Sequence, residues 1–224
     1  MTESQKTSAF GELYSAYAAG CLDPAFALLV ETQAALRPDI ANAVHQSEII
    51  ASVMFESERP SAMKTGAIDR ALAAIDGLNG HHVTQRDAAL RAGSGLSEIT
   101  DLPSPLCDTV IRTMESESWQ FTAPGIRRLK LSTNGQAETE LYRIEPGTAV
   151  PRHSHDGSEF TLVVTGGFAD ESGSYGPGDL AVKGPEHTHQ PVADMGGICF
   201  ALAVRDGGLR FTGLIGAVQR ILGH

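Results

Sequence analysis

Two histidines one residue apart, His153 and His155, then Glu159, then the pair His187 and His189, are the residues of this 224-residue chain with the clearest capacity for chemistry. Residues two apart on a β-strand project to the same face, so a strand that turns one of these imidazoles into a protein interior turns both there. A chelating pair results. Glu159 follows across a short Asp156-Gly157 turn, and a histidine of Glu186-His187-Thr188-His189 on a later strand completes three nitrogens and one carboxylate oxygen. That donor set suits zinc, manganese, iron or nickel. A His-x-His pair alone carries little weight, since such pairs also occur on exposed loops. Here it sits in a longer frame: Gly147, five residues, His-x-His, three residues, Glu159, six residues, Gly166. Of the two late histidines, His189 is preferred over His187.

The elements that must position these groups fall into two kinds. Before residue 100, apolar residues recur at helical spacing and alanine is frequent; after about residue 119, short alternating segments are punctuated by Gly, Pro and Asn-Gly. Helices are expected over 10–19, 25–36, 39–55 and 67–78. Asp23-Pro24 supplies an N-cap and a first-turn proline for the second of these. Its inward stripe is Phe26, Leu29, Val30, Gln33 and Arg37, which ends polar. The third helix should turn Ile40, Ala43, Val44, Ile50, Ala51 and Met54 inward. Three helices can pack as a bundle, leaving the fourth, with Ile68, Leu72 and Ile75 on one side, to dock on something else.

Residues 79–102 read as a mobile linker, with His81 and His82 exposed, and a helix over 105–116 leads into the second half. Strands are expected over 126–132, 138–144, 160–164, 180–182, 198–204 and 209–212, and a short helix over 214–222. Asn134-Gly135 is a hairpin signal because it tolerates the positive φ angles of a type I′ turn. Regular short strands with turns between them suggest a sandwich or barrel. The fold class is therefore α+β: a small helical bundle over 1–78, a linker over 79–102, and a metal-binding barrel over 103–224.

Composition narrows the function. A formal charge of −10 opposes direct binding to a nucleic-acid backbone, whose affinity comes chiefly from Lys and Arg. The first sixty residues hold eight acidic side chains against three basic ones, which favours a basic protein partner. No apolar run approaches the roughly 18 residues needed to span a bilayer, and the N-terminus lacks the basic start and apolar core of a signal peptide, so a cytoplasmic protein without membrane contact is expected. Three dispersed cysteines, Cys21, Cys107 and Cys199, argue against a disulfide framework, and Cys199 reads as a buried small hydrophobe rather than a redox sensor. No nucleophilic triad, phosphate-binding glycine loop or dinucleotide fingerprint is present.

The frame from Gly147 to Gly166 resembles the first motif of the cupins. Two further stretches resemble one family: Leu13 to Gly20 with Asp23 to Thr32 is similar to the N-terminal helices of the ChrR zinc anti-sigma factors. Val150 to His155, Glu159 to Val164, Phe168 to Glu171 and Gly178-Asp179 are similar to the same family's C-terminal cupin, a double-stranded β-helix or jelly-roll barrel. The resemblance implies helices that bind an extracytoplasmic-function sigma factor, and a cupin that binds a metal and releases the sigma factor under oxidative stress. It places the metal ligands on His153, His155, Glu159 and His189, with zinc the first choice of ion and manganese, iron or nickel the alternatives. It also implies a helical zinc site that this chain lacks. The corresponding positions are Ser8, Gln33, Arg37 and Ile40, none a normal zinc ligand. Structural zinc in small peptides contributes roughly 10–16 kcal/mol, so packing and hydrogen bonds must hold these helices instead. An enzyme remains the alternative: three His and one Glu leave open positions on an octahedral metal, as a cupin dioxygenase or isomerase requires. Homodimerisation through strand edges also stays open.

Overall fold

The structure, a computed structural model, describes residues 10–76, 97–206 and 209–211. The expected 214–222 helix, residues 79–96 of the expected linker with His81 and His82, and Ser8 lie outside the described residues. The helices are α1 (Gly11–Ala18), α2 (Pro24–Leu36), α3 (Pro38–Glu56), α4 (67–76), α5 (Ser97–Thr100) and α6 (Ser104–Thr113). The strands are β1 (Gln120–Ala123), β2 (Ile126–Lys130), β3 (Glu138–Ile144), β4 (His153–His155), β5 (Glu159–Thr165), β6 (Phe168–Asp170), β7 (Gly173–Tyr175), β8 (Leu180–Lys183), β9 (Val192–Ala193), β10 (Cys199–Arg205) and β11 (Leu209–Phe211).

Local chemistry sets the helix ends. The Asp23 carboxylate accepts from Ala25 N at 2.8 Å and Pro24 opens α2. Pro38 then forces Arg37 into extended backbone, which ends α2 and starts α3 on a new axis. Asp23 has a second task, because its carboxylate also accepts from Gln136 N at 2.6 Å. The loop between β2 and β3 thereby folds against the start of α2. This loop is longer than the two-residue turn expected from Asn134-Gly135, although Asn134 does adopt a positive φ of 57°.

Six strands form one sheet in the order β1-β2-β3-β10-β5-β8; β7-β6-β9 and β11-β4 form the facing sheets. All seven residues of β10 are buried, and they divide by parity. Phe200, Leu202 and Val204 pack outward in the cluster with Leu28 and Leu29 of α2 and Leu106 and Val110 of α6. Cys199 and Ala201 face the barrel interior with Ile126, Val163 and Phe168. Strand β5 follows the same rule, with Leu162 and Val164 toward the helices and Val163 inside. Helix α2 is buried on two sides, giving Ala25, Leu28 and Leu29 to the barrel and Val30 to a second cluster with Tyr14, Ile40 and Val44.

Two expectations are corrected. In α3 only Ile40 and Val44 are buried; Ile50 is 63% and Met54 68% exposed, so the C-terminal half of the apolar stripe faces outward. Residues 97–102, read as the end of a linker, are structured: Ile99 and Leu102 are buried in the main core, and Arg143 pairs with Glu98 at 2.7 Å.

Candidate metal centre

His153 and His155 occupy the two ends of β4 and are both buried, as same-face residues of a strand with one side inside must be. His189 arrives opposite by backbone pairing: His153 N donates to His189 O at 3.1 Å, and His189 N to His153 O at 3.0 Å. Glu159 opens β5 in phase with Thr161 and Val163, which directs its carboxylate inside. The four side chains offer one donor atom each within 4.8 Å of one another. The structure thus brings together His153, His155, Glu159 and His189, and leaves His187 exposed beside Glu186. Gly166, the last position of the frame, has a φ of +67°, and a Cβ there would meet Ile198 O at 2.6 Å; only glycine allows that reversal after β5.

The imidazoles are oriented from behind. His153 Nδ1 lies 2.7 Å from Pro151 O, an atom that can only accept, so Nδ1 carries the proton and Nε2 presents a lone pair. His189 Nδ1 lies 3.0 Å from the Asp170 carboxylate, which fixes the same tautomer. The two Nε2 atoms then face each other at 3.1 Å, and His155 Nε2 lies 3.2 Å from His189 Nε2. Facing lone pairs repel unless a cation lies between them. Two nitrogens about 2.1 Å from one ion are separated by about 3.4 Å at a tetrahedral angle and about 3.0 Å at a right angle, so the observed spacings fit a divalent metal in either geometry. His155 Nδ1 is buried without a hydrogen-bond partner among the described residues, 3.6 Å from Glu159 Oε2.

Burial and charge around the site keep His153 and His155 neutral and the acids ionised. Burial pushes the His153 imidazole down to about 4, and burial likewise lowers His155 although Glu159 opposes it. For Glu159 burial works against the charge, yet His155 and Arg205 hold the carboxyl below its ordinary range. Asp170 is treated in the same way: burial raises it, and the Lys183 ammonium at 2.8 Å and His189 more than offset this. Neutral imidazoles and an ionised carboxylate are the states that ligate metal.

Several participants escaped the sequence reading. Asp170 and Lys183 stand behind His189, while Arg205, Glu140 and Tyr142 stand behind Glu159. The available signal was a charged residue in phase with the interior of an apolar strand: Lys183 closes Leu180–Lys183, and Arg205 closes the run of β10. Cys199 is fully buried and its thiol is pushed up to about 12 by burial, then by Asp194, so it is held as a protonated hydrophobe.

The positions corresponding to the helical zinc ligands are filled by other chemistry. Gln33 accepts from the Tyr14 hydroxyl at 3.2 Å and donates through Nε2 to Gly178 O at 3.1 Å. Arg37 pairs with Asp39 at 2.9 Å and with Asp179 at 3.5 Å, and Ile40 is buried beside Tyr14 and Val44. Hydrogen bonds and apolar contact occupy Gln33, Arg37 and Ile40.

Comparison with known proteins agrees with this architecture. The family described as the ChrR cupin-like domain matches residues 108–205. The anti-sigma-E factor ChrR of Cereibacter sphaeroides is 34% identical over 203 residues, which cover 91% of this chain and 91% of that protein. The crystal structure of Rhodobacter sphaeroides SigE in complex with the anti-sigma ChrR contains a chain that superposes with a TM-score of 0.67 at 32% identity, covering 88% of this chain and 96% of that one. Likeness of this extent spans the helices and the barrel alike, and on it the chain belongs to the ChrR family of cupin-bearing anti-sigma factors.

Proposed function

We propose that this chain is an anti-sigma regulator: residues 1–78 hold an extracytoplasmic-function sigma factor away from RNA polymerase, and the cupin over 103–224 carries a metal and serves as the sensor of oxidative stress. The observation that carries the partner-binding half is an apolar helical surface left exposed among the described residues. Val53 and Phe55 of α3 are 63% and 79% exposed, beside Ile50 and Met54, and α4 presents Ile68, Leu72 and Ile75 at i, i+4 and i+7. Soluble chains seldom expose so many large apolar side chains on consecutive helices unless a partner covers them. The relative whose structure superposes over both parts is itself in complex with a sigma factor. Acidic groups along α2 and α3, including Glu31, Asp39, Glu48 and Glu56, suit a basic partner.

Zinc is the proposed ion, held by His153, His155, Glu159 and His189. The facing Nε2 lone pairs of His153 and His189, the nearby His155 Nε2 and the buried Glu159 carboxylate support a divalent cation at this place. The ion supplies charge that ties β4, β5 and the His189 segment together. The test is transcription in vitro by RNA polymerase with an extracytoplasmic-function sigma factor from the same cell. The wild-type chain should suppress it, and Val53→Glu with Leu72→Glu should not, while leaving the helical circular dichroism unchanged. Equal suppression by wild type and variant removes the proposed surface; no suppression of any such sigma factor removes the regulator reading.

A further inference from the structure

Two charged side chains that no metal site requires, Arg205 and Glu140, are buried beside Glu159. Arg205, the last residue of β10, is buried and shares its interior face with Cys199, Ala201 and Ala203. Its NH1 donates to Glu159 Oε2 at 3.1 Å and to the Tyr142 hydroxyl at 3.4 Å, and its NH2 donates to Glu140. Glu140 is anchored independently, by Arg128 at 2.8 Å and by the Tyr142 hydroxyl at 2.6 Å. Arg128 through Glu140 thus aims Arg205 at the carboxylate expected to ligate the metal. The other carboxylate oxygen, Oε1, accepts from Thr161 Oγ1 at 2.9 Å.

A guanidinium on a metal-ligating carboxylate can act in two directions. By holding the carboxylate in place it strengthens ligation; by sharing its negative charge and repelling the ion it weakens ligation. The Thr161 hydroxyl already orients Glu159 through Oε1, so orientation survives without Arg205. The charge effect is left to decide. We infer that Arg205 is the resident counter-cation of Glu159, competing with the metal for that carboxylate and setting how tightly the cupin centre holds its ion. Glu159 is then more easily released than His153 or His189, because a replacement partner is already in contact with it, whereas those two are fixed from behind by Pro151 O and Asp170. The inference rests on the metal-centre reading given above.

The experiment is an equilibrium titration of the full chain with Zn2+ against a competing chelator, with far-UV circular dichroism on every sample. Arg205→Met should bind Zn2+ at least tenfold more tightly than wild type, and it should fold, because Glu140 keeps Arg128 and Tyr142. Arg205→Lys, which retains the charge, should stay close to wild type. Glu140→Gln frees Arg205 for fuller pairing with Glu159 and should weaken Zn2+ binding; this loss together with near-wild-type binding by Arg205→Lys decides the matter if Arg205→Met does not fold. A purely structural role would weaken binding in all three. Unchanged or weaker binding by folded Arg205→Met, or unchanged or tighter binding by Glu140→Gln, overturns the inference alone. Failure of the wild type to take up Zn2+ overturns the metal-centre reading, and the inference with it.

Discussion

At the scale of single residues, the candidate donors are held by groups that stand outside their cluster. Asp170 is the clearest case, since its carboxylate bridges His189 Nδ1 at 3.0 Å and Lys183 Nζ at 2.8 Å inside the barrel wall. Loss of such an outer partner costs roughly 10- to 100-fold in metal affinity. Asp170→Asn should therefore weaken Zn2+ binding by about that factor, with a titration against a chelator as the measure; no change would mean that His189 is oriented by its backbone pairing alone. The histidines also set a pH dependence in the metal-free protein. His153 has its folded pKa lowered to about 4 from an ordinary 6.5, so below about 6.5 the unfolded chain takes up a proton that the folded chain refuses. Stability is then fully present above that value and is lost as pH falls toward 4. The thermal midpoint of the metal-free protein should drop between pH 7 and pH 5, and His153→Gln should flatten the drop. The clustering of His153, His155, Glu159 and His189 was legible because strand parity and a fixed spacing are local. Asp170, Lys183 and Arg205 were not, because a lone acid or base in an apolar strand gains meaning only from partners 13 to 65 residues away.

Among the elements, α2 has the most to satisfy, since it faces the barrel on one side and α1 and α3 on the other. Its start was legible in Asp23-Pro24, whose capping chemistry is local, and its end in Pro38. What Gln33 does was not. The side chain joins Tyr14 of α1 to the turn before β8 through two hydrogen bonds, and that turn passes so close to Arg37 that a Cβ on Gly178 would lie 2.4 Å from Arg37 Cγ. Gln33→Leu strands the Tyr14 hydroxyl and the Gly178 carbonyl, at about 1–3 kcal/mol for each buried group left unpaired. Denaturant unfolding should show a loss in that range or above, and Tyr14→Phe combined with Gln33→Leu should cost less than the sum of the two single changes, because they share one interaction. Additive losses would show that the pair is not coupled. Helix α3 was misread for an instructive reason. Apolar residues at helical spacing report a buried face but not what buries it, so Ile50 and Met54 carry the same signal as Ile40 and Val44 although only the latter meet the chain's own core.

For the molecule as a whole, two separate properties should govern association: a large negative charge, −10 over the chain, and an apolar face on α3 and α4. They act on different steps. Long-range charge speeds encounter with a basic partner and is screened by salt, whereas desolvated apolar contact slows departure and is little affected by screening. Raising ionic strength from about 0.01 M to about 1 M shortens the screening length from about 30 Å to about 3 Å. Association of this chain with its sigma factor should slow by roughly 10-fold or more across that range while dissociation changes little. Surface plasmon resonance at several salt concentrations reads both rates. Phe55→Ala, at the most exposed aromatic position of α3, should do the reverse, raising the dissociation rate and leaving the salt slope of association intact. If salt instead acts on dissociation, charge pairs rather than Val53, Phe55 and Leu72 hold the complex together, and the acidic residues of α2 and α3 become the contact surface instead of the steering field.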